Sequence, residues 1–336
     1  MSDPSRLLEE LADATRLNEG PEGVRKVLRA IYRSGPVPIR ELARDLGIPV
    51  PVVAAVRGEL ETRGLAVRET GVKLTSLGVE ILETACGIAC KQRFTITSVT
   101  LLPEGVLSLV QEFAKIVEAR PGADFTLDQS HATAETSIRR ALYLYEHDAI
   151  EGRTILFLGD DDLTSIAVGL VSRHLGIKPA RLVVLDVDDR LTGYIAACKE
   201  ELHPVETVCR DLREALPESL MGKADVFFTD PPYTIDGLRL FGCRGVSALK
   251  QEVGKLGFVS FGHKSPSEGV AIGQTLSGLG LSLVEITPDF NQYDGAQLLA
   301  GSSQMIRLVY GGSSHLSGEF YKGPLYTRDV RGKKRG

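Results

Sequence analysis

The sequence predicts an α/β protein in which a doubly wound, Rossmann-like sheet follows a small helical domain. Three observations support this class. Short apolar runs alternate with helix-length segments after residue 133, a helix–helix–helix–hairpin pattern occupies the N-terminal quarter, and 336 residues suffice for two cores. We therefore divide the chain into an N-terminal domain (1–85), a connector (86–125), a sheet domain (126–325) and a basic tail (326–336).

The N-terminal pattern is typical of a winged helix-turn-helix domain. Helical apolar spacing, followed each time by a glycine, predicts helices at Val24–Ser34, Ile39–Leu46 and about 49–63. Residues 65–78 then predict two short strands, the wing. The third helix balances Arg57 and Arg63 against Glu59 and Glu61, so it offers phosphates no net positive charge. We expect dimerisation or an active-site lid rather than DNA binding, which remains the alternative.

Seven apolar or β-branched runs predict the strands of the sheet. They lie at residues 154–158, 181–185, 205–208, 225–229, 258–261, 281–286 and 305–310. The first five are separated by helix-length segments, as buried parallel strands require. Ligands of such a sheet bind where the carboxyl ends of the strands meet.

The loops after the first four strands are acidic. They carry Gly159-Asp160-Asp161-Asp162, then Asp186, then Asp211, then Asp230-Pro231-Pro232-Tyr233. Carboxylates gathered in one crevice repel each other, so they favour a cationic ligand. The first loop would repel the phosphate or carboxylate that a glycine-rich loop binds. It suits decarboxylated S-adenosylmethionine, which lacks the carboxylate and keeps an amine and a sulfonium.

The Asp230-Pro231-Pro232-Tyr233 loop resembles the corresponding loop of methyltransferases that alkylate exocyclic amines on nucleic-acid bases. In those enzymes the acid and a proline carbonyl accept hydrogen bonds from the attacked nitrogen, and the aromatic ring stacks on the substrate. The loop therefore implies a nucleophilic nitrogen that attacks an activated carbon beside a sulfonium.

Together these motifs resemble the branched-chain polyamine synthases, the N(4)-bis(aminopropyl)spermidine synthases. The resemblance rests on the loops at 159–162 and 230–234, on Asp128-Gln129 followed by residues 132–136, and on the N-terminal winged helix. Ala134 departs from the family pattern, which has proline there. The resemblance implies successive aminopropyl transfer from decarboxylated S-adenosylmethionine, as co-substrate, to the central nitrogen of spermidine. Methylthioadenosine is released, and no metal or further cofactor is required.

The resemblance also implies roles for individual residues. The first loop is similar to the Gly-Gly-Gly-Asp loop of linear spermidine synthases, which places Asp162 at the aminopropyl group. We predict that Asp162 and Asp230 are catalytic: they orient the nitrogen and take its proton late. Asp160 and Asp161 would hold terminal ammonium groups.

Other residues are predicted to contact the two substrates. By their positions at strand ends, Asp186 is assigned to the ribose hydroxyls and Asp211 to the adenine amino group. The remaining predicted contacts are Gly159, Asp128, Gln129, Pro231, Pro232 and Tyr233. Tyr293-Asp294-Gly295 and residues 326–329 are weaker candidates for the border of the polyamine site.

Composition limits the other classes of protein. The net charge of −5 argues against a protein that coats nucleic acid. The chain lacks a long apolar run and an apolar signal-peptide core, so we expect a cytoplasmic protein without a membrane partner. Cys86 and Cys90 lack a second metal-binding pair nearby, so we predict no zinc site. We expect a homo-oligomer, either a dimer or a tetramer.

Two other functions stay open at this point. One is an S-adenosylmethionine-dependent methyltransferase that acts on adenine in nucleic acid, because it shares the chemistry of the Asp-Pro-Pro-Tyr loop. The other is a regulator that senses a metabolite through the sheet and binds DNA through the wing.

Overall fold

The structure is a computed structural model that describes residues 4–98, 100–198, 203–294, 301–313, 321–323 and 325–326. The chain divides into two compact units. The first comprises Met1–Arg93 with Leu175–Ala180, and the second comprises Phe94–His174 with Arg181–Gly336. The break at residue 93 falls within the segment predicted as a connector.

The first unit is built from five helices and a hairpin among its described residues. In chain order they are α1 (Pro4–Thr15), α2 (Gly20–Ser34), α3 (Ile39–Leu46), α4 (Val50–Thr62), β1 (Ala66–Arg68), β2 (Val72–Leu74) and α5 (Ser76–Cys86). β1 and β2 pair antiparallel, with Ala66 opposite Leu74. The core includes the fully buried Leu28, Val56 and Leu82. The helices α2 to α4 and the hairpin agree with the sequence prediction to within a few residues.

The sequence prediction missed α1 and α5 in this unit. α5 begins where the wing was expected to continue, because the Thr75 side chain accepts a hydrogen bond from the Gly78 N–H and caps the helix. Its buried residues Gly78, Leu82 and Cys86 repeat every four positions. That spacing is helical, and it places one face of α5 in the core.

The second unit contains the sheet and the helices that connect its strands. Before the sheet come α6 (Glu104–Val117), a short 3-10 turn (Phe125–Leu127) and α7 (Ala134–Glu146). The sheet and its connections are β3 (Thr154–Leu158), α8 (Thr164–Leu175), β4 (Arg181–Asp186), α9 (Asp189–Ala197), β5 (Val205–Cys209), β6 (Val226–Thr229), α10 (Ile235–Ala248), β7 (Leu256–Phe261), α11 (Pro266–Gly278), β8 (Leu281–Gln292) and β9 (Ser302–Tyr310).

The seven-stranded sheet has the order β5-β4-β3-β6-β7-β9-β8. β3 to β7 are parallel, whereas β9 runs antiparallel to both β7 and β8. The predicted doubly wound sheet is therefore confirmed. The chain first winds outward through β4 and β5 and then returns to the other side of β3. That reversal creates a crevice between the carboxyl ends of β3 and β6.

β8 is twice as long as the apolar run that predicted it. It pairs with β9 as far as Gln292 opposite Ser302, across irregularities after Leu283 and Thr287. The apolar run ended early because the intervening Thr287, Pro288 and Asp289 lie on an edge strand with solvent-facing positions. In the described part of the chain, no helix is long and apolar enough to cross a membrane.

Candidate active site

A cleft opens at the reversal of strand order, where the loops after β3, β4, β5 and β6 meet. Five aspartates line it: Asp128, Asp161, Asp186, Asp211 and Asp230. The other lining residues are Leu127, Gln129, Gly159, Val187, Leu212, Pro232, Phe241, Leu325 and Tyr326. The four acidic loops thus converge, as the strand pattern predicted. The cleft is acidic on one part of its wall and apolar on the rest.

Gly159 turns the chain at the end of β3 in a left-handed conformation, with φ of +70°. A side chain there would be strained, and its Cβ would lie 3.5 Å from the Phe241 ring. The turn lets the next N–H, from Asp160, donate to the Asp186 carboxylate at 3.0 Å. The glycine therefore brings the first two acidic loops together.

The three aspartates after Gly159 point in different directions. Asp160 is buried, and its carboxylate accepts hydrogen bonds from the Ser165 N–H and hydroxyl at the start of α8. Burial raises the pKa of Asp160 to about 8. Asp161 lines the cleft and accepts from the Ser130 N–H at 3.1 Å. Burial, followed by the nearby Asp162, Asp230 and Asp186, raises the pKa of Asp161 well above its ordinary value.

Asp162 is not among the residues that line the cleft in the described structure. Its Oδ1 accepts from the Ala132 N–H, and its Oδ2 lies 2.5 Å from Nη1 of Arg140. Arg140 comes from α7 and is fully buried. The residue predicted to contact the attacked nitrogen is thus paired with an arginine behind the wall, while its neighbour Asp161 faces the cavity.

Asp230 follows β6 and lines the cleft directly. Its Oδ2 accepts from Nη2 of Arg140 at 2.7 Å and from the Tyr293 hydroxyl at 2.6 Å. Burial raises the pKa of Asp230 to about 6, although the Arg140 cation opposes this effect. Asp230 is therefore a carboxyl group that can exchange a proton near neutral pH.

The rest of the Asp-Pro-Pro-Tyr loop holds Asp230 in place. Pro231 is buried and Pro232 lines the cleft. The Tyr233 ring packs 5.3 Å from the Phe261 ring and tightly against Gly262, where a Cβ would come within 2.6 Å. Its hydroxyl bonds to that of Tyr293 at 2.7 Å. In this structure the Tyr233 ring contacts the protein core, where the sequence predicted stacking on substrate.

Asp186 and Asp211 occupy the side of the cleft formed by β4 and β5. The Asp186 carboxylate accepts from the Asp160 and Asp188 N–H groups, yet burial raises its pKa. The pKa of Asp211 lies below its ordinary value: burial acts to raise it, but hydrogen bonds and charge from Arg213 outweigh that effect. The Arg213 guanidinium donates to Asp211 at 2.8 and 2.5 Å.

Asp128 and Gln129 complete the lining from the segment before α7. Asp128 adopts a left-handed conformation with φ of +57°. The Gln129 amide accepts from the Asp124 N–H at 2.7 Å and donates to Asp188 at 3.3 Å. Ala134 begins α7, and Thr133 caps it by accepting from the Thr136 N–H. The helix therefore starts normally without the proline that the family pattern has.

Two features of the site were not predicted from the sequence: Arg140, and the apolar part of the cleft lining that includes Phe241 and Leu212. Arg140 lies one turn after Ser137 among the buried residues of α7, so a cation within a buried helical segment was the available signal. The sequence contains no signal for Phe241 and Leu212, since their surroundings look like those of any core residue. Tyr293 and Tyr326, both weak candidates, lie at the site, whereas Gly295 and residues 327–329 are outside the described residues. Among the described residues, no three or more His, Cys, Asp or Glu side chains are arranged so that they could hold a metal ion.

Comparison with known proteins identifies the family. The model of the branched-chain polyamine synthase A C-terminal domain matches residues 108–314. An uncharacterised protein of Methanocaldococcus jannaschii is 36% identical over 91% of this chain and 78% of its own. An N(4)-bis(aminopropyl)spermidine synthase of Thermococcus kodakarensis is 31% identical over 85% of this chain and 82% of its own.

A solved structure has the same fold along nearly the whole chain. It is the branched-chain polyamine synthase of Thermus thermophilus in complex with N4-aminopropylspermidine and 5'-methylthioadenosine, with 26% identity and a TM-score of 0.60 over 97% of this chain and 98% of that one. The family match covers more than half of the present chain, and the curated relative exceeds 30% identity over most of it. This chain belongs to the branched-chain polyamine synthase family.

Proposed function

We propose that the protein transfers the aminopropyl group of decarboxylated S-adenosylmethionine to the central nitrogen of spermidine, and does so twice to give a branched polyamine. The observation that carries the proposal is the cleft lined by five aspartates beside an apolar wall. Such a site suits a donor with an amine and a sulfonium and an acceptor with several ammonium groups. The related Thermus enzyme holds a branched aminopropyl polyamine and methylthioadenosine.

The donor is proposed to lie against the β4 side of the cleft. Asp186 at the end of β4 accepts hydrogen bonds from the ribose hydroxyls, and Asp211 after β5 faces the adenine amino group. Phe241, Leu212 and Tyr326 supply apolar surface for the base and the thioether. Asp161 holds the ammonium group of the aminopropyl chain.

The acceptor nitrogen is proposed to face Asp230. Its lone pair attacks the aminopropyl carbon beside the sulfonium, a C–N bond forms, and the C–S bond breaks with its electron pair returning to sulfur. The spermidine nitrogen must first pass a proton to Asp230, since a protonated nitrogen has no lone pair. The first attack gives neutral methylthioadenosine and a tertiary ammonium, whose one remaining proton passes to Asp230 after Asp230 has released the first proton to solvent. The second attack then leaves a quaternary nitrogen, which carries no proton.

The raised pKa of Asp230 reduces the cost of this proton transfer. A polyamine nitrogen titrates near 10 and an ordinary aspartate near 4, so moving the proton costs about 8 kcal/mol. With the pKa of Asp230 at about 6, the cost falls to about 5 kcal/mol. The remaining acceleration comes from holding donor and acceptor, which repel each other in water, in line for attack.

The geometry changes the roles that we propose for the three consecutive aspartates. Asp161 faces the substrate ammonium groups, whereas Asp162 anchors Arg140 and Asp160 caps α8. Asp230 is the proposed proton acceptor. Asp128, Gln129, Gly159 and Pro232 are proposed to contact substrate through the positions they occupy on the wall.

The N-terminal unit is proposed to be a winged-helix domain that binds no nucleic acid. Its helices α2 to α4 and the hairpin β1–β2 support this assignment. The division at residues 85, 125 and 325 and a homo-oligomeric state remain predictions.

The test is a product analysis with matched donors. The protein is incubated with spermidine and either decarboxylated or ordinary S-adenosylmethionine, and the polyamines are analysed by mass spectrometry. Successive additions of aminopropyl from the decarboxylated donor alone support the proposal. Methylated product from the ordinary donor would indicate a methyltransferase, and absence of product from both donors would contradict an enzymatic role on spermidine.

A further inference from the structure

Arg140 is a buried cation at the centre of the site's hydrogen-bond network. Its side chain has 0% exposure and bridges Asp162 and Asp230 with two nitrogens, at 2.5 and 2.7 Å. Its Nε donates to the Asn291 amide oxygen at 2.8 Å, and Nη2 also contacts the Tyr293 hydroxyl at 3.2 Å. A guanidinium fixed by this many partners cannot rotate without breaking several hydrogen bonds.

The Tyr293 hydroxyl is held as firmly as Arg140. It donates to Asp230 at 2.6 Å and lies within hydrogen-bond distance of the Ser303 hydroxyl at 2.9 Å and the Tyr233 hydroxyl at 2.7 Å. The two positioned donors, Arg140 and Tyr293, meet at a single atom, Oδ2 of Asp230. Within the described residues, no hydrogen-bond donor reaches Oδ1, and Asp230 lines the cleft.

We propose that Arg140 and Tyr293 are positioning residues that clamp one oxygen of Asp230 and thereby present the other oxygen to the attacked nitrogen. The inference deepens the proposed function and rests on it. Asp162 anchors Arg140 from behind, so it serves the reaction without touching substrate. The clamp also fixes which lone pairs accept the proton in each of the two transfers.

The clamp has an electrostatic effect in addition to its geometric one. Several charged or titratable groups interact with Asp230: Arg140 from α7, Asp161 and Asp162 after β3, Tyr233 after β6 and Tyr293 after β8. The acids favour a protonated Asp230, whereas Arg140 and the Tyr293 hydroxyl favour an ionised one. Removing either positioning residue should therefore raise the pH at which Asp230 becomes able to accept a proton.

The experiment compares pH–rate profiles of four variants with that of the unmodified protein. Tyr293→Phe removes one hydroxyl and keeps the ring. Arg140→Gln removes the charge, and Arg140→Lys keeps it but loses the two-armed geometry. Tyr143→Phe is the control, since Tyr143 is also buried on α7 but its hydroxyl bonds to Glu285.

We expect Tyr293→Phe to lower kcat about tenfold, with the KM for the donor unchanged. The acidic limb of the pH–rate profile of Tyr293→Phe should move to higher pH. Arg140→Gln should lower kcat about a hundredfold and move the limb by about one pH unit. Arg140→Lys should return the limb toward that of the unmodified protein while kcat stays low. Tyr143→Phe should change neither.

Each outcome decides one of the two proposals. If Tyr293→Phe and a folded Arg140→Gln lose activity without any movement of the acidic limb, their role is structural and the inference is overturned. If Arg140→Gln does not fold, the isosteric Tyr293→Phe decides the question by the same criterion. Failure of the unmodified protein to transfer aminopropyl groups would instead contradict the proposed function.

Discussion

Two aspartates bracket the central strand β6, and their surroundings differ in one respect. Asp225 precedes the strand and is 5% exposed, with its Oδ1 at 2.9 Å from Lys250 and 3.1 Å from Lys255. Burial acts to raise its pKa, but the lysines and Arg153 outweigh that effect and lower it. Asp230 follows the strand, and burial raises its pKa to about 6 despite one arginine.

The difference lies in how many cations each end of the sheet supplies. At the amino end the Asp225 carboxylate meets the Lys250 and Lys255 ammonium groups, so its negative charge is offset within the fold. At the carboxyl end Arg140 pairs with Asp162 and Asp230, and burial raises the pKa of Asp161, Asp186 and Asp230. Buried acids that the fold leaves short of cations are suited to bind a cationic ligand.

The largest expected effect is that of Asp230→Asn on turnover. The amide keeps the shape of the side chain and its contact with Arg140 but cannot accept the proton from the attacked nitrogen. We expect kcat to fall by roughly 10²- to 10⁴-fold while the affinity for the donor is nearly unchanged. Single-turnover kinetics and calorimetry with the donor measure the two quantities. Near-normal turnover would remove Asp230 from the proposed chemistry.

The matching change at the other end of β6 should affect stability instead. Asp225→Asn removes the buried carboxylate that lies 3.1 Å from Lys255, which is 5% exposed, and leaves Lys255 paired with the more exposed Glu252 at 3.0 Å. We expect a loss of about 2 kcal/mol in the free energy of unfolding. Turnover per folded molecule should stay unchanged at a temperature below the transition. Denaturant unfolding and an activity assay on the same sample test this, and a loss of turnover without a loss of stability would contradict the comparison.

The sequence predicted which loops meet, but not which way each side chain points. Strand periodicity and the parallel order bring Asp161, Asp186, Asp211 and Asp230 to one edge. Whether Asp161 or Asp162 faces the cleft depends on the left-handed turn at Gly159 and on a cation from α7. Arg140 lies 22 residues before Asp162 in the chain, and no local pattern links the two.

The raised pKa values predict a pH-dependent affinity for polyamine. Asp230, with a pKa of about 6, and Asp161 and Asp186, whose pKa values are also raised, ionise more fully as pH rises. Because spermidine stays cationic, we expect its dissociation constant to fall roughly tenfold between pH 5 and pH 7. Calorimetry measures it. A constant spermidine affinity over this range would contradict the prediction.

The raised pKa values of the same acids also determine how the stability of the unliganded protein changes with pH. Their folded pKa values exceed those of the unfolded chain, so their contribution to stability is present at low pH and lost as pH rises through the folded values. For Asp230 and Asp160 the loss should extend to about pH 6 and about pH 8. Because spermidine binds the ionised acids more tightly, added spermidine should raise the Tm more at pH 8 than at pH 5.

The smallest expected effect concerns α4, where the cations are balanced as they are around Asp225. Arg57 lies 3.5 Å from Glu61, and Arg63 lies 3.8 Å from Glu59 and 3.1 Å from Glu10. Binding to DNA phosphates depends on protein cations that displace the counterions held by the DNA. Arginines that are already paired with acids contribute little to this binding. We expect no measurable affinity for random duplex DNA at physiological salt. The double change Glu59→Gln and Glu61→Gln should release both arginines partly and give weak binding that disappears with added salt. Nanomolar binding by the unmodified protein would show that charge balance in this helix does not limit DNA binding, and it would restore the regulator hypothesis for the N-terminal unit.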